Sequence, residues 1–322
     1  MKRFTQTNRV WLMILGILAV LLTVYYLFPT GQTALPYILN LRIKKLWAYV
    51  FVAVIASFST FSFQAVIGNR FLTPSVLGLE SLYVLMQSVY LFFFWKWSEG
   101  TTPHSIPEFF LVIALQCGFF ACLQPAIKSL LQRGIGFILL VCMTLGTFFR
   151  SFSTFIQVMM DPNEYDKLQS RLFASLQNIN QDLLWIVFPI LLWICVILYR
   201  KGRILDVFYL GKDQAQLLGV NVEKEQRQVL WLVVLLTSLS TALIGPLTFF
   251  GFILANVTYL IVRDFRHRSL FLIGSLLGFV VILLSQILVE RVFGYHVTLQ
   301  VIVELFGGLF FFYLLYKERR KS

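Results

Sequence analysis

The stretch ALIGPLTFFGFILANVTYLIVRDFRHRSL, residues 242–270, decides the fold. It opens on the tail of an apolar run (229–244), breaks at Gly245-Pro246 and resumes as a shorter apolar run over 249–262. A basic loop carrying Arg263, Arg266 and Arg268 follows, and then another apolar run over 270–289. A transmembrane helix needs about 20 mostly apolar residues to cross about 30 Å of hydrocarbon. Two such runs flanking a short, Gly/Pro-bounded one describe a polytopic membrane protein. A short broken segment is tolerated at depth only where neighbouring helices cover its free backbone groups.

The pattern extends outward. Further apolar runs lie at 10–28, 46–67, 76–95, 106–123, 134–160, 183–199 and 297–316, which predicts an all-α protein of about ten transmembrane helices. The chain is 58% hydrophobic and 13% charged, with 33 Phe. Soluble domains are about 25% charged, so the composition excludes a soluble enzyme, a disordered tail and a disulfide scaffold. The first run follows Lys2, Arg3 and Arg9, but it is long for a signal peptide. It ends on Phe28-Pro29-Thr30-Gly31, not on a small-residue cleavage site, so it is read as the first span. Residues 1–322 form one membrane domain. The longest loops, 161–182 and 201–228, are amphipathic enough for short surface helices.

The formal charge of +12 could indicate a nucleic-acid binder. With both termini cytoplasmic, however, the inner segments hold 19 cations against six anions and the outer ones seven against seven. Glu80, Arg150 and Glu304 remain inside spans. The excess is therefore cytoplasmic, as the positive-inside rule requires. Membrane lipid, not nucleic acid, is the expected surroundings.

Several chemistries are missing. The chain has no GxxxxGK[ST] phosphate loop, GxSxG elbow or HExxH motif. Cys117, Cys122, Cys142 and Cys195 lie in apolar runs and read as packed thiols. His104, His267 and His296 lack metal-ligand spacing. No catalytic residue, cofactor or metal is expected in the chain, and any active transport must draw energy from a partner or an ion gradient.

The inner loop reads Tyr209-Leu210-Gly211-Lys212-Asp213-Gln214-Ala215-Gln216-Leu217-Leu218-Gly219-Val220-Asn221-Val222. Gly211 and Gly219 can each end a short helix, since glycine accepts the positive φ of a C-cap. The two-turn helix between them has apolar residues at Ala215 and Leu218. Such a helix suits docking into another protein's groove and equally suits an interfacial loop.

The motif LGKDQAQLLGVNV, followed by a span and then by the 242–270 stretch, resembles the FecCD family of ABC importer permeases. That family's usual forms are LGxxxAxxLGVxV and GPIxFVGLxxPHxxR followed by DHR. Residues 41–83, the DPNEYDKLQSRLFASLQNIN segment and the closing VTLQVIVELFGGLFFFYLLYK helix agree in order and spacing. The outer segment resembles the anguibactin- and petrobactin-type permeases. The chain departs from the pattern at Leu254-Ala255-Asn256 in place of Pro-His, at Leu41-Arg42-Ile43-Lys44-Lys45 without its proline, and at Thr298.

The resemblance implies a permease subunit that imports ferric siderophore, with haem or cobalamin as the alternative cargo. It also implies a sister permease (a heterodimer over a homodimer), an extracytoplasmic substrate-binding protein, and two ATPase subunits that bind ATP and Mg. The loop 201–228 would be the coupling region. In it Gly211 and Gly219 shape the helix, Lys212 and Asp213 face solvent, and Ala215, Leu218 and Val220 enter the ATPase groove. Arg42, Lys45 and Arg291 would receive acidic residues of the binding protein. Spans 5 and 10 would line the path, placing Arg150, Thr147, Ser151, Thr154 and Glu304 along it, with Arg150 partly balanced by Glu304. An ion-coupled secondary transporter is the alternative from another class. It predicts internal repeats with interrupted helices, and the two halves of the sequence show no convincing repeat. Gly274, Gly278 and Gly307-Gly308 are expected to allow close helix packing.

Overall fold

Each of the ten apolar runs forms a helix in the computed structural model, which describes residues 2–28, 35–98, 106–131, 135–172, 181–262 and 266–319. His104 and the side chain of Lys212 lie outside what is described. The order is α1 Lys2–Leu27, α2 Leu35–Ile67, a 3-10 turn Pro74–Leu77, α3 Leu79–Ser98, α4 Ile106–Leu131 and α5 Ile135–Val158. Then come α6 Pro162–Leu172, α7 Gln181–Phe208, α8 Lys212–Leu217, α9 Val222–Ile244, α10 Phe250–Ile261, α11 His267–Arg291 and α12 Leu299–Arg319. No strand occurs among the described residues. Six helices (α1, α2, α4, α7, α9 and α11) are long and apolar enough to cross a membrane, and α3, α10 and α12 carry shorter apolar segments.

Two short helices supplement the ten. α6 lies within 161–182, as the amphipathic pattern there predicts, and α8 within 201–228. The inner loop is shorter than expected. α7 continues to Phe208 and α9 starts at Val222, so only residues 209–221 leave the long helices. α7 runs on past Tyr199 because Leu205 and Phe208 in its last turns are buried in the core. Across this junction Lys201 of α7 pairs with Glu225 of α9 and donates to Gln228 at 2.7 Å.

α2 is the central helix: 78% of its apolar window is buried, against 17% for α1. It packs on α11, α9, α7 and α10. Small residues permit the closest approach. A Cβ on Gly274 of α11 would lie 2.5 Å from the Phe61 ring and 2.6 Å from Ser57 Oγ of α2. Beside it Phe58 stacks on Phe271 at 4.3 Å, and Ser57 donates to the Phe271 carbonyl at 3.0 Å. Gly278 faces Leu254 and Ala53, and Gly307 abuts Ile253, whereas a methyl on Gly308 would meet nothing within 4 Å. The cysteines are free thiols: Cys142 is buried, but Cys122 is exposed on α4 and so is not a packed thiol as expected.

Two breaks set the functional geometry. After α2 the chain turns back through residues 68–78, so α3 starts at Leu79 instead of at the end of the bundle. After α9 it turns at 245–249, and α10, at 12 residues, is about 18 Å long. Irregular backbone at this depth must be satisfied inside the protein. Buried Gln116 does part of this: its amide donates to the Leu79 carbonyl at 2.9 Å and its oxygen accepts from Thr241 Oγ1 at 3.1 Å.

Candidate functional site

The two breaks face each other across α2 and enclose a cavity of about 50 Å³. Its walls carry Ser59 and Thr60 of α2, Thr73 and Ser75 of the first break, Glu80 of α3, Thr237, Ser240 and Thr241 of α9, and Thr248 of the second break. Hydroxyls predominate because a cavity inside a membrane protein must hydrogen-bond whatever polar group enters it. Thr248 Oγ1 donates to Glu304 at 2.9 Å, and Gln300 donates to the same carboxylate at 2.9 Å. Glu80 lies within electrostatic reach of both Glu304 and Arg150. Arg150 and Glu304 form no direct ion pair among the described residues. Glu80 stands between them, a member that sequence reading counted among the intramembrane charges but did not place at the site. Gly78 and Gly146 bring the start of α3 against α5, one turn before Arg150, where a Cβ on Gly78 would sit 3.3 Å from Gly146 Cα.

The hydroxyl-rich stretch of α5 divides by face. Thr147, Arg150, Ser151 and Thr154 are exposed along one stripe, with Thr147 and Thr154 donating to the Met143 and Arg150 carbonyls. Ser153 is buried against α3, bonded to Ser88 at 2.8 Å and to Gln157 at 2.9 Å. The same stripe bears Phe148, Phe152 and Phe155, stacked in series, and α12 exposes Leu305, Leu309 and Phe312.

At one end of the bundle α8 is held by both of its glycines. Gly211 (φ 96°) turns the chain into the helix. Gly219 (φ 81°) closes it: its N–H bonds the Gln216 carbonyl at 2.9 Å and the Val220 N–H bonds Ala215 at 3.1 Å, the Schellman pattern. Asn221 then caps α9 by accepting from the Lys224 N–H at 3.2 Å. Asp213 is exposed. Ala215 is fully buried against its own chain and Val220 packs on the same core, so neither side chain is offered outward as expected. Leu217 (88% exposed) and Leu218 (63%) are the projecting pair, and the sequence reading named only the second.

At the opposite end Arg42 and Arg291 have internal roles. Arg42 pairs with Glu290, donates to the Tyr26 carbonyl and lies over the Tyr26 ring. Arg291 donates to the Phe28 carbonyl at 2.9 Å and lies over Tyr25. Both thus cap the last carbonyls of α1, which have no intrahelical partner. Arg42, expected to receive acidic residues of a binding protein, thus pairs with a carboxylate of its own chain. Lys45 is half-buried in the next turn of α2. Nearby, burial raises the Tyr295 phenol above its ordinary 10.0, helped by Glu290. A further buried cation, Arg171 of α6, pairs with Glu108 of α4 at 3.0 Å and lies over Tyr90, fastening α6 to the bundle.

Long apolar helices with two breaks around a polar cavity, and a short helix projecting two leucines from the loop between α7 and α9, describe a multi-pass membrane protein. Residues 7–317 match the FecCD transport family. The chain is 36% identical over 308 residues to the petrobactin import system permease protein YclO of Bacillus subtilis, covering 96% of this chain and 97% of that one. It is 32% identical over 321 residues to the petrobactin import system permease protein FatC of Bacillus anthracis, covering 98% and 90%. A solved chain of an inward-facing transporter, assigned to the metal-chelate ABC type, superposes with a TM-score of 0.80 at 20% identity over 96% of this chain and 99% of its own. The chain belongs to the FecCD transport family of membrane permeases.

Proposed function

We propose that this chain is the permease subunit of a bacterial plasma-membrane ABC importer that carries a ferric siderophore of the petrobactin type into the cytoplasm. The cargo assignment rests on the similarity to YclO and FatC, both above 30% identity over nearly the whole chain. Haem and cobalamin rank behind it. ATP and Mg belong to separate ATPase subunits in this reading, since the chain carries no nucleotide-binding motif.

The observation that carries the reading is α8. A soluble loop helix buries its leucines, whereas this one buries Ala215 and extends Leu217 and Leu218 into solvent beside Asp213. That geometry suits a groove on an ATPase subunit. The exposed aromatic stripe of α5 and the apolar face of α12 suit a second permease, so that Thr147, Arg150, Ser151, Thr154 and Glu304 border a shared path. A lone cation at depth costs at least about 2.5–3.5 kcal/mol and normally faces a partner or a cavity. The docking of a binding protein falls on the outer surface around Lys45 and Arg291. Arg42 contributes there by holding the end of α1.

The test is purification of the tagged chain from a membrane extract with its ATPase and sister permease, followed by the same purification with Leu217→Asp. Loss of the ATPase alone supports α8 as the contact. Retention of the ATPase by Leu217→Asp contradicts it.

A further inference from the structure

We infer that Asp206, Tyr209, Tyr259, Gln64 and His267 form the link through which the coupling helix moves the two broken-helix walls of the cavity. This rests on the function proposed above and goes beyond it by naming the positioning residues.

The link begins just before α8, with Asp206 and Tyr209 six and three residues ahead of Lys212. Asp206, in the last turns of α7, accepts from the His267 backbone N–H at 2.8 Å and bonds His267 Nδ1 at 2.7 Å, so one carboxylate fixes the start of α11. His267 is fully buried, and Tyr209 stacks on it at 5.0 Å and 21°. The Tyr209 and Tyr259 hydroxyls are 3.0 Å apart. The Tyr259 hydroxyl donates to Gln64 Oε1 at 2.9 Å, and Gln64 Nε2 donates to the Arg70 carbonyl at 2.6 Å. The Arg70 guanidinium lies over both phenol rings, at 5.3 and 5.0 Å.

Proton counting gives the chain a direction. A phenol has one O–H. Tyr259 spends its proton on Gln64, so Tyr209 must be the donor to Tyr259. The order is Tyr209 to Tyr259 to Gln64 to the Arg70 carbonyl.

The two far ends of this chain reach the cavity through rigid elements. Tyr259 lies near the end of α10, and about 14 Å back along that helix is the break that contributes Thr248, the donor to Glu304. Gln64 lies one turn from Thr60 of α2, which lines the cavity wall, and Arg70 belongs to the other break. A displacement of α8 pulls on Tyr209 within three residues, and Tyr209 holds both α10 and, through Tyr259, α2. A packed network of this kind transmits motion only if its arrangement differs between two states, which is what coupling of ATP hydrolysis to transport would require.

The experiment uses the permease purified with its ATPase subunits and sister permease, reconstituted in liposomes with the binding protein and radiolabelled ferric petrobactin. Cargo imported per ATP hydrolysed is measured for wild type, Tyr209→Phe, Tyr259→Phe, the double variant and Ser57→Ala. The last removes a buried interhelical hydrogen bond outside the link and serves as the structural control. Tyr209→Phe and Tyr259→Phe are expected to lower the ratio at least tenfold while the complex still assembles and hydrolyses ATP. The double variant should be no worse than the poorer single one, because the bonds act in series. Ser57→Ala should keep the wild-type ratio. Tyrosine variants that keep the wild-type ratio in a coupled complex overturn the link, as does a Ser57→Ala ratio that falls equally. A wild-type complex that hydrolyses ATP but imports nothing overturns the transport reading and the link with it.

Discussion

Leu217→Ala separates partner contact from folding most cleanly. Leu217 is 88% exposed, so its side chain contributes almost nothing to the permease's own core. Removing it should change the permease's own stability by no more than about 0.5 kcal/mol, the usual range for a surface position. If an ATPase groove covers it, truncation to alanine gives up about three buried carbons. At about 0.8 kcal/mol per buried CH₂ this is about 2 kcal/mol, or about 30-fold in Kd. Leu218, already partly covered, should lose less. The assay is titration of purified ATPase subunit against permease in nanodiscs, with thermal unfolding of the permease alone in parallel. An unchanged Kd for Leu217→Ala would refute the reasoning, and so would a fall in permease stability as large as the loss in affinity.

Four other outcomes follow from the packing and the charges. Gly274→Ala forces a methyl to within 2.5 Å of the Phe61 ring and should cost about 1–3 kcal/mol, seen as a lower unfolding temperature, whereas Gly308→Ala should be neutral. Arg42→Gln removes the guanidinium partner of Glu290 and the donor to the Tyr26 carbonyl, so it should destabilise by about 1–3 kcal/mol; a variant of native stability that loses only salt-sensitive binding-protein affinity would return Arg42 to a docking role. Arg150→Gln should leave stability nearly unchanged, since the side chain is exposed, yet cut uptake at least tenfold; full recovery in Glu80→Gln/Arg150→Gln would mean that Arg150 only balances charge. Burial raises the Tyr209 phenol above its ordinary 10.0, so the unfolded chain ionises first on going alkaline. Stability present below pH 10 should therefore fall as pH rises above it, and Tyr209→Phe should flatten that slope.

The helices were legible because a bilayer demands long apolar runs, and each of the ten runs is helical. Gly211 and Gly219 were legible because their positive φ has a chemical signature in the sequence. The faces of α8 were not. Hydrophobicity at Ala215 and Leu218 implied one outward stripe, but the small alanine is what lets α8 lie against its own chain, which turns Leu217 outward. The pairing of Arg42 within its own chain was not legible, because sequence cannot show that Glu290 and the end of α1 come to rest beside it. Glu80 was missed as a site residue because it follows a break. Nothing local to it shows that residues 68–78 turn back and start α3 beside α5. Of the two breaks, Gly245-Pro246 marks one in the sequence, whereas the other, with only a 3-10 turn at Pro74–Leu77, ran unmarked into an apolar run.

The most direct measurement is uptake of radiolabelled ferric chelates by cells with this chain deleted and then restored. Loss of ferric petrobactin uptake on deletion, and its return with the wild-type chain but not with Leu217→Asp, is the predicted result. Unaltered uptake of every ferric chelate tested would contradict a siderophore importer and move the assignment to haem or cobalamin.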